Sequence, residues 1–260
     1  MDRIGIIPAA GIASRIGPLP CSKEIYPMGF RCEPGEGIKP KAACHALLES
    51  MAVAGADRVY VVLRSGKWDI PAYLGSGSTY GLPIAYLVTG PTPGVPFSVD
   101  CAFPFAREHD VLFGFPDIVF TPNNAFVQLL ERQQSSGADV VLGLYRAHRS
   151  HKMDMVDIDA TGRVRGILIK PQETTLRYAW IIAVWTGVFT RYIHTYLSKA
   201  STLDRAQKKE LHIGEVIHGY IGEGFTVETV IFDKDSYVDI GTPEDLIGAV
   251  KAEALENDPR

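Results

Sequence analysis

The chain has 260 residues, of which 46% are hydrophobic and 22% charged, and its formal net charge at pH 7 is -4. A chain of this length buries roughly 70–75% of its unfolded surface, so it needs neither disulfides nor a structural metal, and we expect a single domain. The slightly acidic balance, with no run of more than two basic residues, excludes a protein that binds nucleic acid through its phosphates. No segment reaches the ~18 consecutive apolar residues of a membrane span, so no membrane partner is expected either.

The N-terminal segment and the cysteines indicate a compartment. MDRIGIIPAAG is typical of a first strand rather than of a signal peptide. The four cysteines have no CxxC spacing, which argues against a zinc site and favours reduced thiols over a disulfide framework. We therefore expect a cytoplasmic protein.

Along the first 145 residues, apolar runs alternate with stretches of helical period, the pattern of a parallel sheet with helices on both faces. The predicted strands are almost continuously apolar and cover residues 3–8, 58–63, 83–88, 110–115 and 138–145. The predicted helices cover residues 40–54, 69–75, 98–107 and 122–136. In the last of these, Thr121 is expected to cap and Pro122 to occupy the first helical position. The irregular segment 28–40 is predicted to be a surface loop near a ligand.

The second half of the chain begins with a predicted hairpin and ends with a predicted helix. The hairpin consists of residues 153–159 and 163–170, and its three aspartates, Asp154, Asp157 and Asp159, are expected to face solvent. The elements that follow are a strand at 180–189, helices near 190–200 and 212–222, and strands at 225–232 and 236–241. Thr242 is expected to cap the closing helix and Pro243 to begin it.

The segment PAAGIASRIGPLPCSKEIYP, residues 8–27, follows the first strand and suits an oligophosphate. Its small residues allow backbone amides to approach a ligand, and a hydroxyl and a forked cation follow them. It lacks the GK[ST] of a Walker A loop. A dinucleotide-binding GxGxxG loop is followed at once by a helix, whereas the prolines of this segment keep the chain extended. An ordinary strand-to-helix connection is the alternative, but Lys23, eight residues after Arg15 and four before Pro27, favours a phosphate loop. The candidate phosphate contacts are Ala9, Ala10, Gly11, Ser14, Arg15 and Lys23.

Four further residues are candidates because of their place at strand ends. Asp117 and Asp239 follow or end apolar strands, where carboxylates could hold a metal, although turn or capping aspartates are the alternative. Lys170 ends a strand before Pro171 and could meet a phosphate, or it could be a lysine at a sheet edge with its ammonium in solvent. Gly187 would allow close approach of a ligand, or it could mark a bulge.

The signature segment at residues 8–27 resembles the small-residue loop of sugar-1-phosphate nucleotidyltransferases, most closely the glucose-1-phosphate thymidylyltransferase-like branch. Six further segments resemble that family in the same order, over about 240 residues. They are KPKAACHALLESMAVAGADRVYVV, GSGSTYGLPIAYLV, GFPDIVF, ILIKP, KKELHIGEV and YVDIGTPEDL.

The resemblance implies a Rossmann-like α/β fold in one domain, with a nucleotide-binding half at 1–145 and a sugar-phosphate-binding half at 146–260. It implies Mg²⁺-dependent transfer of a nucleotidyl group from a nucleoside triphosphate to a sugar 1-phosphate, with release of pyrophosphate, in a chain that forms homo-oligomers as related enzymes do. The implied roles are catalysis for Arg15, Lys23 and Asp117, metal binding for Asp117 and Asp239, nucleotide binding for Thr89, Gly94 and the loop, and sugar-phosphate binding for Lys170 and Gly187.

The chain departs from the family pattern at positions expected to select substrates. Thr89 stands where a glutamine reads the base, GVPFSVD at 94–100 replaces the usual turn, and Ile169 replaces the glutamate of the EKP motif. Ala9 and Ala10 replace a glycine pair. Retained chemistry with altered substrate choice is the preferred interpretation. Transfer to a non-sugar phosphate, such as phosphocholine or a phosphonate, and a non-catalytic nucleotide-binding subunit remain the alternatives.

Overall fold

A computed structural model describes residues 2–13, 15–33, 37–200, 210–234 and 236–256 of the chain. The strands in these ranges are β1 (Arg3–Pro8), β2 (Pro27–Glu33), β3 (Gly37–Ala42), β4 (Arg58–Arg64), β5 (Ile84–Thr89), β6 (Asp110–Gly114), β7 (Ile118–Phe120), β8 (Val140–Arg146), β9 (Asp154–Ile158), β10 (Val164–Ile169), β11 (Tyr178–Trp185), β12 (Val227–Phe232) and β13 (Tyr237–Asp239). The helices are α1 (His45–Val53), α2 (Asp69–Leu74), α3 (Val95–Asp100), α4 (Phe103–Ala106), α5 (Ala125–Ser136), α6 (Gly187–Ala200), α7 (Ile213–Gly222) and α8 (Pro243–Glu256).

Nine of the strands form one central sheet. Its main order is β10-β9-β11-β6-β1-β4-β5, and β8 joins through β11 and carries β12. Two strands, β10 and β11, run antiparallel to the other seven, so the sheet is mixed but mostly parallel. Two small antiparallel pairs, β2 with β3 and β7 with β13, lie outside it. We call the side where β1, β4, β5 and β6 end the carboxyl edge.

Helices cover both faces of the sheet, and each face has its own apolar core. Buried residues of α1, α2 and α5 pack on one face, among them Leu47, Ile70 and Phe126. Buried residues of α3, α6 and α7 pack on the other, among them Phe189 and Val216 with their neighbours. Burying each large apolar side chain contributes about 1.5–3 kcal/mol, so both faces favour this layered arrangement. The predicted fold class is confirmed.

The segment predicted as a loop at 28–40 is instead the β2–β3 hairpin, and that prediction is wrong. Its strands pair from Pro27 with Ala42 to Glu33 with Gly37, so they satisfy one another's backbone groups. Phe30 and Ile38 are largely exposed, which explains why the segment carries no buried-strand pattern. The predicted helix at 40–54 accordingly starts later, because residues up to 42 belong to β3.

The helices predicted at 98–107 and 122–136 differ from the structure, the first because it is interrupted and the second because it starts later. The helix predicted at 98–107 is instead the end of α3, which begins at Val95, and the separate short helix α4, with Pro104, which has no N–H to donate, at its start. Thr121 does not cap α5. Its N–H donates to the Ser236 oxygen and its hydroxyl accepts from the Ser236 N–H, so Thr121 extends the β7–β13 pairing, and Asn124 precedes the helix.

The strand predicted at 180–189 is shorter at its end. β11 stops at Trp185, and Gly187 begins α6. Thr242 does cap α8, because its hydroxyl accepts from the N–H of Asp245, three residues on, at 3.4 Å. Within the described ranges, no helix is both long and apolar enough to cross a membrane.

Candidate active site

The phosphate loop leaves the centre of the sheet at the carboxyl edge. β1 lies between β4 and β6, and the N–H of Ala9 still donates to the Val62 oxygen at 2.7 Å, which holds the loop's first residue against the sheet. Ala9 is buried, Ala10 is half-buried and Gly11 is exposed. A Cβ added at Gly11 would meet nothing within 4 Å, so the space above the loop is open to a ligand.

The second part of the loop has an unusual backbone. Ala13 has φ +56°, a conformation that costs a non-glycine residue roughly 1–2 kcal/mol, and its oxygen accepts the N–H groups of Ile16 and Gly17. Such outliers concentrate where a site requires them. Arg15 is exposed within this turn. Ser14, predicted to contact nucleotide, lies outside the described residues.

Lys23 is held in place by an ion pair with Asp117. The Lys23 ammonium donates to Asp117 Oδ2, and the two side chains are only 15% and 14% exposed. Burial alone would lower the pKa of Lys23, but the pKa is raised because the attractions of Asp117, Glu24 and Asp239 together outweigh burial. Asp117 lies in the turn between β6 and β7. The structure thus brings the predicted lysine and the predicted metal carboxylate together.

The pairing of β13 with β7 brings Asp239 to the same place. Asp239 is the register partner of Ile118, the residue after Asp117, and the N–H of Ile240 donates to the Asp117 oxygen at 3.2 Å. The Gly241 N–H donates to Asp239 Oδ1 at 2.7 Å. Burial and then repulsion from Asp117 raise the pKa of Asp239, against the lowering effect of Lys23.

The two carboxylates suit a hard divalent cation. Mg²⁺ binds carboxylate oxygens, and in phosphoryl-transfer sites one or two carboxylates are completed by substrate phosphates. Burial first, and repulsion from Asp117 second, raise the pKa of Asp239, and a cation bound to both carboxylates would relieve that repulsion. No group of three or more potential His, Cys, Asp or Glu ligands occurs among the described residues, so further ligands would come from substrate or water.

Lys170 follows β10 with φ +42°, the second non-glycine residue in the left-handed region among those described. Its side chain is half-buried. Burial raises the pKa of Asp154, and the charge of Lys170 opposes that rise only in part. Asp154 was predicted to face solvent, and that prediction is wrong, because its Oδ1 is buried. The alternating sequence pattern of the hairpin does not indicate that Asp154 is buried.

Thr89 and Gly94 lie on the β5 side of the carboxyl edge. Thr89 ends β5 as the partner of Arg64, which ends β4. Gly94 has φ +143°, and a Cβ there would stand 2.0 Å from the Leu211 oxygen, so the position requires glycine to let two backbone segments approach. This backbone contact explains the glycine without a ligand.

The structure does not bring Gly187 to the site. β11 ends with Trp185 paired to Val111 near the start of β6, at the edge opposite Asp117. A Cβ at Gly187 would stand 2.3 Å from the Arg107 oxygen. Close packing against this backbone, rather than approach of a sugar, therefore explains the glycine, and we correct its predicted role.

A basic cleft of about 380 Å³ adjoins the phosphate loop, and sequence inspection missed it. It is lined by residues of the loop, Lys23 among them, and by the turn after β4, with Arg64 and Lys67. Lys67 pairs with the buried Glu24 at 2.5 Å. Ser22 donates its N–H and hydroxyl to Asp69 at 2.6 and 2.8 Å. These contacts fix the two walls of the cleft relative to Lys23.

The mixed sheet, with its basic loop and paired carboxylates at the carboxyl edge, has the fold of nucleotide-sugar pyrophosphorylases. Among solved structures it is similar to a sucrose complex of a Bacillus anthracis protein assigned as a glucose-1-phosphate thymidylyltransferase. The TM-score is 0.79 at 19% identity, over 99% of this chain and 96% of that one.

The chain belongs to the nucleotidyl transferase family, whose pattern matches residues 4–256. It is 24% identical over 248 residues to the low-salt glycan biosynthesis nucleotidyltransferase Agl11 of Haloferax volcanii, a match covering 94% of this chain but 64% of that relative. It is 22% identical to the glucose-1-phosphate thymidylyltransferase of Neisseria meningitidis, over 93% of this chain and 79% of that protein. The predicted family, and with it the nucleotidyltransferase class, is confirmed.

Proposed function

We propose that the protein transfers a nucleotidyl group from a nucleoside triphosphate to a sugar 1-phosphate, with Mg²⁺, and releases pyrophosphate. The observation that carries this proposal is the meeting of Lys23, Asp117 and Asp239 beside an open phosphate loop at the carboxyl edge. Ligand sites in such sheets lie outside the carboxyl ends of the strands. The named relatives support the same reaction class.

The reaction places modest demands on the protein's side chains. An oxygen of the acceptor phosphate bonds to the α-phosphorus of the triphosphate while the bond from that phosphorus to the bridging oxygen breaks. The electron pair leaves with pyrophosphate. Because the attacking oxygen is already anionic, no proton has to be removed, and the site needs alignment of two repelling anions with charge compensation.

The cations of the chain are placed for that compensation. The N–H of Ala9 is taken by the Val62 oxygen, so the loop amides of Ala10 and Gly11 and the Arg15 guanidinium would hold the triphosphate, with Lys23 next to the α-phosphate. The basic cleft with Arg64 would receive the β- and γ-phosphates and then the leaving pyrophosphate. Lys23 is paired with Asp117, so substrate binding would transfer part of its hydrogen bonding to phosphate.

Asp117 and Asp239 are the residues that would hold Mg²⁺. The ion, when bound, would offset the charge of the two phosphates that must approach each other. Lys170, fixed after β10 in a strained backbone conformation, would bind the acceptor's phosphate. Thr89, at the end of β5, is the candidate contact to the base.

A pyrophosphate-release screen tests the proposal. Five nucleoside triphosphates are each combined with a panel of sugar 1-phosphates, phosphocholine and a phosphonate, with Mg²⁺ or with EDTA. We expect Mg²⁺-dependent turnover with a sugar 1-phosphate, and a loss of roughly 10²–10³-fold in Lys23→Ala and Asp117→Asn.

The matched control is Lys41→Ala, which removes a half-exposed lysine from its pair with Glu49. It should retain wild-type turnover. Absence of turnover with every pair of substrates, or unchanged turnover in Lys23→Ala, would contradict the proposal. Tight nucleotide binding by calorimetry without any turnover would instead support a non-catalytic subunit.

A further inference from the structure

Residues 70–99 form a stretch of 30 residues without a charged side chain. Because 22% of the whole chain is charged, a stretch of this length would be expected to hold six or seven charges. The stretch contains no histidine either. In its middle lies β5, with the sequence IAYLVT, which ends the main path of the central sheet. The sheet therefore ends on this side in a strand that carries no charge.

A strand at the edge of a sheet presents unpaired N–H and C=O groups, and proteins usually protect it with charged side chains, bulges or a covering segment. The strands that end the sheet elsewhere carry charges, Arg165 in β10 and Glu228 in β12. β5 pairs with β4 without a bulge, and among the described residues no strand pairs with its other side. We call this outer side of β5 the β5 edge.

The hydrogen bonds of β5 show which of its backbone groups face outward. The Val59 N–H donates to the Pro83 oxygen at 2.8 Å. Since alternate residues of a parallel strand face each neighbour, the odd-numbered residues of β5 face β4 and the even-numbered residues face away. The first of these, Ile84, accordingly donates its N–H outward, to the Ser76 oxygen at 2.9 Å.

The two other outward-facing residues of β5 are Tyr86 and Val88. Within the part of the chain that the structure describes, neither their N–H nor their C=O groups have a backbone partner. Exposed backbone groups in an extended conformation are a template for a further strand. Pro83 and Pro91 lie on either side of the segment and restrict such a pairing to the few residues between them.

Apolar side chains flank the β5 edge on both faces of the sheet. Val88 is 55% exposed on one face. On the other face, the exposed Ala85 lies opposite Tyr60, whose ring stacks on that of Phe105 with centroids 5.1 Å apart. Phe105 is itself 45% exposed. A pairing strand alone buries little area, so these side chains add the apolar surface that a stable interface requires.

The absence of charge favours a second copy of this chain as the partner. In a two-fold interface, each residue near the axis meets residues of the same patch, so charged side chains there would face their own sign. An uncharged strand avoids this repulsion, and it offers a charged peptide no opposite charge.

The strand also has a register that uses both outward residues. If β5 lies antiparallel to its copy about an axis at Leu87, Tyr86 of each copy lies opposite Val88 of the other. In an antiparallel ladder, opposite residues whose backbone groups face each other exchange both N–H and C=O hydrogen bonds. The free groups of one copy are therefore satisfied by those of the other, whereas a register centred elsewhere would leave one of the two residues unpaired within the strand.

We propose that two copies of this chain associate through the β5 edge, with antiparallel strands about a two-fold axis at Leu87, so that their central sheets become one continuous sheet. Such an isologous contact closes on itself and yields a dimer rather than a fibre. This inference concerns assembly and does not depend on the proposed function.

Sedimentation velocity of the full chain over a range of concentrations tests the proposal. We expect the wild type to be a dimer. Val88→Lys places two ammonium groups across the axis and should raise the dissociation constant roughly hundred-fold. Val88→Thr keeps a β-branched, uncharged side chain and should remain a dimer. Leu168→Lys is the matched control, because it makes the same kind of change at a residue of β10 that is 48% exposed, and it should also remain a dimer.

A backbone variant tests the hydrogen bonds themselves. Val88→Pro removes an N–H that faces away from β4, so the pairing within the chain keeps all its hydrogen bonds while the dimer loses one from each copy. We expect the dissociation constant to rise roughly tenfold or more. Thermal melts of diluted protein show that the variants are folded.

Cysteine cross-linking tests the register. Position 87 meets itself across the axis as a non-hydrogen-bonded pair with a Cα separation of about 4.5 Å, within the range of a disulfide. Leu87→Cys should therefore form a covalent dimer on mild oxidation. Ala85→Cys, on the same face of the same strand, lies opposite residue 89 of the copy and should form none beyond the wild-type level.

A wild type that stays monomeric at about 100 μM, where any dimer with a micromolar dissociation constant is populated, would overturn the inference. Capture of an extended synthetic peptide by such a monomer would assign the β5 edge to a different chain and overturn it too. A dimer that is unaffected by both Val88→Lys and Val88→Pro would place the interface elsewhere. Cross-linking through Ala85→Cys but not through Leu87→Cys would refute the register.

Discussion

Replacing Lys23 by methionine removes the cation that pairs with Asp117 and attracts Asp239, two partly buried carboxylates. Asp117 loses its ion-pair partner, and Asp239 remains beside it with a pKa already raised by burial and by Asp117. Breaking a buried pair by removing one member costs about 3–5 kcal/mol, and we take the low end because both side chains keep some exposure to water. A loss of about 3 kcal/mol lowers the Tm of a chain of this size by about 6–12 °C.

Calorimetric unfolding at pH 7 in EDTA, and then in Mg²⁺, measures the effect. Mg²⁺ should raise the Tm of Lys23→Met more than that of the wild type, because in the wild type the ion must compete with Lys23 for Asp117. At a hundred times its Kd, a ligand stabilises the native state by about 2.7 kcal/mol, enough to offset most of the loss. Lys41→Met, which breaks a half-exposed pair with Glu49, should cost less than about 1 kcal/mol.

A neutral pair offers a further check. Asp117→Asn in the Lys23→Met background removes the unpaired charge, so the double variant should regain much of the stability lost in the single variant. The reasoning is refuted if Lys23→Met unfolds at the wild-type temperature in EDTA, or if Mg²⁺ raises both melting temperatures equally.

Three other variants follow from the site. Asp239→Asn should unfold at a higher temperature than the wild type at pH 7 without Mg²⁺. Because the pKa of Asp239 is higher in the folded than in the unfolded state, the folded protein holds a proton on Asp239 that the unfolded chain has already lost. The wild type therefore loses stability as the pH rises from the unfolded-state pKa to the folded-state pKa. Thermal melts of Asp239→Asn should not show this dependence on pH. Gly94→Ala should lose roughly 2–4 kcal/mol in urea unfolding, because its φ is +143° and the Cβ would overlap the Leu211 oxygen; wild-type stability would contradict this. Arg64→Gln should raise the KM for triphosphate about tenfold, and likewise the KM for pyrophosphate in the reverse reaction. An equal rise in the KM for the acceptor would refute the role of Arg64 in binding the β- and γ-phosphates.

Local patterns in the sequence were sufficient for the sheet and for the identity of the charged site residues. Continuous apolar runs mark β1, β4, β6 and β8, because a strand covered on both faces excludes polar side chains. Small residues after β1, with a basic residue next, indicate a phosphate loop, because only short side chains let the backbone approach an anion.

The same patterns failed where exposure or backbone packing was decisive. The β2–β3 hairpin has no buried face along most of its length, so its periodicity does not distinguish it from a loop. Gly187 looks the same in sequence whether it faces a sugar or the backbone at Arg107.

What the sequence by itself determined was the kind of chemistry: a phosphate loop, a lysine and aspartates at strand ends. Which of these residues meet was decided by the tertiary structure alone. Asp239 reaches Asp117 through the β7–β13 register, and Asp154 stands opposite Ile169 through the β9–β10 register. The physical reason is that side-chain spacing along a strand reports burial, whereas the partner across a strand depends on long-range hydrogen bonding that spacing does not encode.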